Sequence, residues 1–279
     1  MVTEIIFVQD VFNKYQKVVF IQILEMNREI PQIQVKELKP LLVMCSTRGR
    51  PKYLMQMIIS FLKTKSELTR LVVYVAEDDP KVGEYKFVKE VCSYFEDVEI
   101  IIGENKKTMT AVMNHIFSLY PNHKYYADAN DDHFYRTWGW DLKLIDAIEE
   151  KGGWGVACGY DLLEQPNQPK GSEWEKYHRP SAALISGNII RTLGYWVWPG
   201  FRRIGSDDYH KDIGLATNLI HLDDVIIEHR CWNVVFKRDR DANDDYDSNG
   251  GDGEMLYKEW CKFKRDIDIG KLKEAMKHG

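Results

Sequence analysis

The sequence predicts an α/β domain built on a largely parallel sheet, and three features predict it. Short β-branched, apolar runs recur from Leu41 onward. Each is followed by a stretch whose apolar residues fall at helical spacing. The junctions where strand gives way to helix are rich in polar and acidic residues. Strands alternating with helices at this pitch are βαβ units, and such sheets bind ligands outside the carboxyl ends of their strands.

The elements follow in order. Residues 1–40 show no strong period and are punctuated by Pro31 and Pro40, so they form an N-terminal appendage packed on the core. Leu41–Cys45 is the first strand, closed by the turn-like Ser46-Thr47-Arg48-Gly49-Arg50. Pro51 suits the first turn of a helix, whose face carries Leu54, Met57, Ile58, Phe61 and Leu62. Leu71–Val75 is a buried strand ending in Glu77-Asp78-Asp79-Pro80. A helix with Phe87, Val88, Val91, Cys92 and Phe95 on one face follows. Next come a strand at Val98–Ile102, a helix at Ala111–Leu119 and a strand at Tyr125–Asp128. Asp141 can cap a helix running to Glu150. Val156–Tyr160 and Ser181–Ile185 are strand-like, Asn188–Leu193 and Asp207–Asn218 helical, and Leu222–Glu228 apolar around two aspartates. Residues 161–180, with three prolines, make a surface loop, and 237–253 an acidic loop ahead of two amphipathic helices. The catalytic domain would span 41–236, with 237–279 as acidic loop and C-terminal helices.

Composition removes several function classes. With 279 residues, 44% of them hydrophobic, the chain can bury the core of one large domain or two small ones. A net charge of −5 and a pI near 5.9, without a basic tract, argue against duplex nucleic acid as a partner. No run of about 18 apolar residues suggests a membrane span. The start, MVTEIIFVQD, lacks the basic region and apolar core of a secretory signal. Five widely spaced cysteines without a CxxC pair read as reduced thiols, and a cytoplasmic location is expected.

Three constellations carry chemistry. Asp131 and Asp132 follow the fourth strand, and two adjacent carboxylates repel unless a cation lies between them. A hard divalent metal shared with phosphate oxygens resolves that repulsion; a solvated turn is the plain alternative. Gly205-Ser206-Asp207-Asp208 opens a helix, whose dipole stabilises a carboxylate there. One of the two aspartates is either a simple cap or a general base for an acceptor hydroxyl. His229 closes Val225-Ile226-Ile227-Glu228, where a neutral imidazole can complete a metal shell begun by Asp132.

Taken in order, these pieces resemble the GT-A class of nucleotide-sugar glycosyltransferases, especially the family 2-like enzymes of bacteria and phages. The matching segments are Cys45-Ser46-Thr47-Arg48-Gly49-Arg50-Pro51, Asp78, and Met113-Asn114. Asn130-Asp131-Asp132-His133, Arg136-Thr137-Trp138-Gly139-Trp140-Asp141, Ser206-Asp207-Asp208 and Asp224–His229 complete the series. The resemblance spans roughly 41–232. It implies a Rossmann-like nucleotide-diphospho-sugar transferase fold with helices on both faces of the sheet. It also implies a metal-dependent, inverting transfer of a sugar from a UDP donor to an acceptor hydroxyl.

Residue by residue, the resemblance places Ser46, Thr47 and Arg48 in the nucleotide pocket, with Asp78 on the base and Asn114 lining the donor site. Asp131 would hold the ribose or a metal-bound water, as the first half of a compact DxD motif. Asp132 and His229 would ligate Mn²⁺ or Mg²⁺, the mixed oxygen and nitrogen set leaning towards Mn²⁺. The catalytic acid falls on Asp207 or Asp208, with Asp208 favoured. Asp128-Ala129-Asn130 offers a rival DxD register. Trp138, Trp140, Trp196 and Trp198 either stack on sugars or pack in the core.

The segment Asp245–Gly250 starts like a calcium loop, but the twelfth position is Leu256, which excludes an EF-hand. A nucleotidyltransferase would carry a Gly-rich phosphate loop with a basic residue, and Gly49 and Gly103 stand alone. A binding module that kept the fold and lost the chemistry is the non-enzymatic alternative. The acceptor, the donor sugar and the oligomeric state are not encoded in any motif.

Overall fold

Leu41–Thr47 (β1) is the centre from which the sheet is built, because five successive residues, Leu41 to Cys45, are fully buried. A strand without a polar face must be covered on both sides, as parallel strands are. Thr69–Ala76 (β2) and Tyr125–Asn130 (β4) flank it, both parallel, and Val98–Gly103 (β3) pairs with β2. Pro51–Thr64 (α1), Val82–Cys92 (α2) and Met109–Leu119 (α3) are the crossovers. The structure, a computed structural model, describes residues 39–162, 180–202, 205–230 and 252–278. The expectations for 1–38, for most of the 161–180 loop, for Cys231 and for the acidic loop before residue 252 lie outside them.

Beyond β4 the sheet changes character. Its order is β3-β2-β1-β4-β7-β6-β8-β5, in which β5 is His133–Tyr135, β6 is Val156–Tyr160, β7 is Leu184–Ser186 and β8 is Leu219–His229. β7 runs antiparallel between β4 and β6, whereas β6 and β8 are parallel. The sequence suggests a strand at Ser181–Ile185; the ladder forms later, at Leu184–Ser186, where the side chains are buried. β8 starts three residues before the apolar run at Leu222. β5 has no signal in the sequence, since three residues carry no periodicity. It is held by antiparallel pairing with β8, which sets His133 opposite His229.

The expected cap at Asp141 is corrected. The helix Trp140–Glu149 (α4) begins after Gly139, whose φ of 65° turns the chain into it. Asp141 is fully buried, and its carboxylate accepts from the Ser66 backbone N–H at 2.9 Å and the Ser66 hydroxyl at 2.7 Å. Thr69 Oγ1 donates to the same group. A carboxylate removed from water must collect such donors, so Asp141 ties α4 to the α1–β2 turn.

The second half is anchored from the far end of the chain. Gly187–Leu193 (α5) and Ser206–Ala216 (α6) share a core with Gly253–Phe263 (α7) and Arg265–Met276 (α8). Trp260 is fully buried, its ring 4.9 Å from that of Tyr209 on α6. Tyr257 donates to Asp212 at 2.8 Å, and Tyr195 and Trp260 Nε1 donate to the buried Asp268 at 2.6 and 3.0 Å. The C-terminal helices therefore fix the helix that presents Asp207 and Asp208. Among the described residues Cys45, Cys92, Cys158 and Cys261 are free thiols, and no helix is long and apolar enough to cross a membrane.

Replacing Asp141 by alanine strands the Ser66 and Thr69 donors and should cost about 3 kcal/mol of stability. Urea denaturation reads this directly; an unchanged midpoint would refute the hub role.

Candidate active site

The carboxyl ends of β1 and β4 deliver the first groups. Gly49 takes φ of 70°, which lets the chain turn sharply out of β1, and its N–H donates to Asp79 Oδ2 at 2.8 Å. Asp79 is thus a buried brace of the loop, while its neighbour Asp78 faces solvent. Thr47 donates through Oγ1 to Asp131 Oδ2 at 2.7 Å and shares a hydrogen bond of the same length with the Tyr85 hydroxyl. Tyr85 also accepts the Arg50 N–H at 2.9 Å.

Arg50 is the organising side chain. Its Nε donates to Asp131 Oδ2 at 3.2 Å, Nη2 pairs with Asp131 Oδ1, and Nη1 donates to Asp132 Oδ2 at 2.9 Å. Asp131 and Asp132 are 1% and 7% exposed, so they need this cation to remain buried as a pair. Burial pushes the Asp131 carboxyl up despite the guanidinium beside it, with the Asp132 charge adding to the rise. Burial would raise Asp132 too, but His229 and Arg50 hold it below the usual carboxylate range.

His229 arrives from β8. Its Nε2 lies 3.2 Å from Asp132 Oδ1 and 3.3 Å from Asn130 Nδ2, and its ring meets that of His133 edge-on at 4.9 Å. The Arg230 N–H donates to the Asp132 carbonyl at 3.0 Å, locking the end of β8 against the acidic turn. The His229 N–H donates to the buried Asp161 at 3.3 Å.

A second acidic centre lies beside the first. One oxygen of Asp128, Oδ1, is buried and accepts no hydrogen bond. Burial pushes this carboxyl up to about 7, and the charge of Asp207 adds to the rise. Asp207 opens α6, where it accepts from the Ser206 hydroxyl at 3.4 Å. The neighbouring Asp208 is paired with the buried Lys211, Oδ1 to Nζ at 3.8 Å. Farther out, Asp78 accepts from Arg48 Nη1 at 3.0 Å and Asn105 Nδ2 at 2.8 Å, and the Asn105 and Arg48 bonds lower its pKa. Ser46 sits in register with Asn130 across the β1–β4 ladder.

Three further groups have definite surroundings. Asn114 is committed elsewhere: its amide accepts from the Trp196 N–H and donates to the Val197 carbonyl, both at 2.8 Å, which makes it a clamp on residues 196–197. Asp131 is buried, its Oδ2 accepting from Thr47 and Arg50 Nε and its Oδ1 ion-paired with Arg50, so here it supports Arg50. Trp140 and Trp196 are core residues, 1% and 3% exposed, and Trp198 packs on Phe201 at 5.3 Å; Trp138 is 72% exposed. Arg50 and His133 stand inside the quoted motifs, so their presence was visible but their aim was not. Tyr85, one helical turn before Val88, carries no signal beyond an apolar position.

Among the described residues no cluster of three or more His, Cys, Asp or Glu side chains is arranged to hold a metal. Asp132 Oδ1 and His229 Nε2 stand 3.2 Å apart, a spacing that one cation with bonds of about 2.1 Å can bridge. Such a half-formed set fits a Mg²⁺- or Mn²⁺-type ion that takes its other ligands from substrate phosphates and water.

No protein-family model and no curated protein matches the sequence. Solved structures do match. The mannosyltransferase PcManGT of Pyrobaculum calidifontis, in complex with GDP-Man and Mn²⁺, superposes with a TM-score of 0.55 at 10% identity, covering 94% of this chain and 81% of that one. S. aureus TarS 1–349 superposes with a TM-score of 0.52 at 14% identity, over 67% of this chain and 59% of that one. Its complex with UDP gives the same TM-score at 13% identity. The chain shares its fold with these solved glycosyltransferases. This chain thus spans 59% of the TarS 1–349 length.

The Asp128 carboxyl ordinarily titrates near 3.8 and here near 7, so between those values the folded chain holds a proton that the unfolded chain has lost. Stability contributed here falls as pH rises across that window and is fully lost above it. Asp128→Asn, neutral throughout, should be more stable than the wild type at about pH 8 and lose that advantage by about pH 4. Urea titrations at the two pH values measure the difference, and an equal gain at both would refute it.

Proposed function

We propose that this protein is a metal-dependent glycosyltransferase that moves a sugar from a nucleotide donor, a UDP-sugar, to an acceptor hydroxyl with inversion. The observation that carries the reading is Asp132 Oδ1 at 3.2 Å from His229 Nε2, at the carboxyl end of β4 in a glycosyltransferase fold. Thr47, Arg48 and Asp78 lie along the same edge, where a nucleoside diphosphate would bind, and the catalytic unit is residues 41–236 braced by α7 and α8. PcManGT in complex with GDP-Man and Mn²⁺, and TarS in complex with UDP, support a nucleotide-sugar donor.

Asp132 and His229 would hold Mn²⁺ or Mg²⁺, which supplies charge neutralisation for the departing diphosphate. This chain's own residues do the rest. Arg48 and Asp78 orient the nucleotide through a surface pair that can open towards a base. Asp207 or Asp208 takes the proton from the acceptor hydroxyl as that oxygen attacks the anomeric carbon and the diphosphate leaves. The base is one of Asp207 and Asp208, which open α6 together; Asp207 accepts from the Ser206 hydroxyl at 3.4 Å and Asp208 pairs with the buried Lys211 at 3.8 Å, and the resemblance favours Asp208.

Calorimetry with UDP and GDP, each with and without Mn²⁺, together with release of free nucleotide from the nucleotide sugars, tests the reading. Metal-dependent binding with turnover supports it; binding without turnover on any acceptor favours a binding module. Asp132→Ala should abolish metal-dependent donor binding. One of Asp207→Asn and Asp208→Asn should keep donor binding and lose transfer by about 10²–10⁴-fold, the usual worth of a general base. If Asp208→Asn produces that split and Asp207→Asn does not, the base is Asp208.

A further inference from the structure

We infer that Arg50 is a built-in counter-cation that keeps the metal site incomplete until a nucleoside diphosphate arrives, so that metal and donor bind as a unit. This rests on the metal-dependent reading above and adds a control to the same site.

The charge count is the starting point. Asp131 and Asp132 bring two negative charges, the guanidinium one positive, and His229, when neutral, none. Asp131, Asp132 and the guanidinium together therefore carry one net negative charge, where the two carboxylates alone would carry two. Arg50 is not a distant countercharge, since it grips Asp131 through Nε and Nη2 and reaches Asp132 through Nη1 at 2.9 Å. That contact occupies Asp132 Oδ2 and leaves Oδ1 facing His229, so the carboxylate can meet a metal through one oxygen only. A guanidinium stays charged at every accessible pH and its planar fork fits a carboxylate in two-point contact.

The backbone holds Arg50 in this position. Its N–H is fixed by Tyr85 and its carbonyl accepts the Leu54 N–H at 3.1 Å, as the residue preceding α1. Thr47 fixes Asp131 from the other side, again through Tyr85. Swinging Arg50 away would leave Asp131 buried with the Thr47 hydroxyl as its hydrogen-bond donor among the described residues, which is costly for a carboxylate. Arg50 therefore remains on Asp131 and repels a metal bound a few ångströms away. A diphosphate supplies the negative charge that offsets this repulsion.

The test is a charge series read by the electron paramagnetic resonance signal of free Mn²⁺, titrated without nucleotide and then with UDP or GDP. The wild type should bind Mn²⁺ weakly alone and more tightly with nucleotide. Arg50→Gln should tighten binding of Mn²⁺ alone, on the order of tenfold, and shrink the gain from nucleotide by a similar factor. Asp131→Asn should weaken binding of Mn²⁺ alone, and the double variant, with the wild-type charge count, should return near the wild-type value. Circular dichroism establishes which variants fold. Should Arg50→Gln not fold, the comparison of Asp131→Asn with the double variant still decides: restored affinity supports the inference and unrestored affinity overturns it. A wild type that binds Mn²⁺ with nucleotide, with an Arg50→Gln variant equal to it or weaker, overturns the Arg50 inference alone. A wild type whose nucleotide binding ignores Mn²⁺ overturns the metal-dependent reading, and this inference with it.

Discussion

Two adjacent carboxylates, each less than a tenth exposed, sit at the end of β4, and the rest of the site is organised by the need to neutralise them. Burying one unpaired charge costs several kcal/mol, and burying two of the same sign costs more. The chain answers with a guanidinium from the β1–α1 loop, a hydroxyl from β1 and an imidazole from the end of β8. Each comes from a different element, so the sheet must be assembled before the acidic pair can be accommodated. Local charge and global topology are in this sense the same constraint.

The topology does its part through register. β1 and β4 are paired in parallel from Leu41↔Tyr125 to Ser46↔Asn130, so both strands end at one level and their loops meet. β5 folds back from the acidic turn onto β8, and the pairing of His133 with His229 fixes which face of β8 the imidazole presents. A slip of one residue would send His229 to the opposite face of the sheet. The bond from the Arg230 N–H to the Asp132 carbonyl closes the ladder where such a slip would begin.

What was legible in the sequence follows from the range over which each signal acts. Asp131, Asp132 and the acids opening α6 are visible because strand ends and helix starts have local signatures, and the parallel-sheet rule then collects strand ends on one edge. The first four strands and the helices between them were legible for the same reason. Arg50 was visible as a residue, but its aim depends on a carboxylate about eighty positions away. Asp141 imitates a helix cap in sequence and is instead a buried hub, because its donors at Ser66 and Thr69 are brought to it only by the packed fold. Asn114 and Tyr85 are hidden likewise, one as an amide inside a helix and the other as an apolar position. β5 has too few residues to show a period and exists through β8.

The helix carrying Asp207 and Asp208 shows how far from the site its geometry is determined. α6 has few apolar residues, and its buried face includes His210, Lys211 and Asp212. Such a face cannot be held by hydrophobic burial alone, and the partners it needs come largely from the C-terminal helices. Tyr257 and Arg265 meet Asp212, and Trp260 covers Tyr209. Trp196 stacks edge-on with His210 at 4.9 Å, and Asn114 clamps the backbone of that tryptophan to α3. Burial lowers His210 to about 4, so this contact is made by a neutral ring at neutral pH. The orientation of a proposed catalytic carboxylate is thus set by contacts with α3 and the last two helices. The residues after 252 act as a brace on the acidic centre, even though none of them was expected to belong to it.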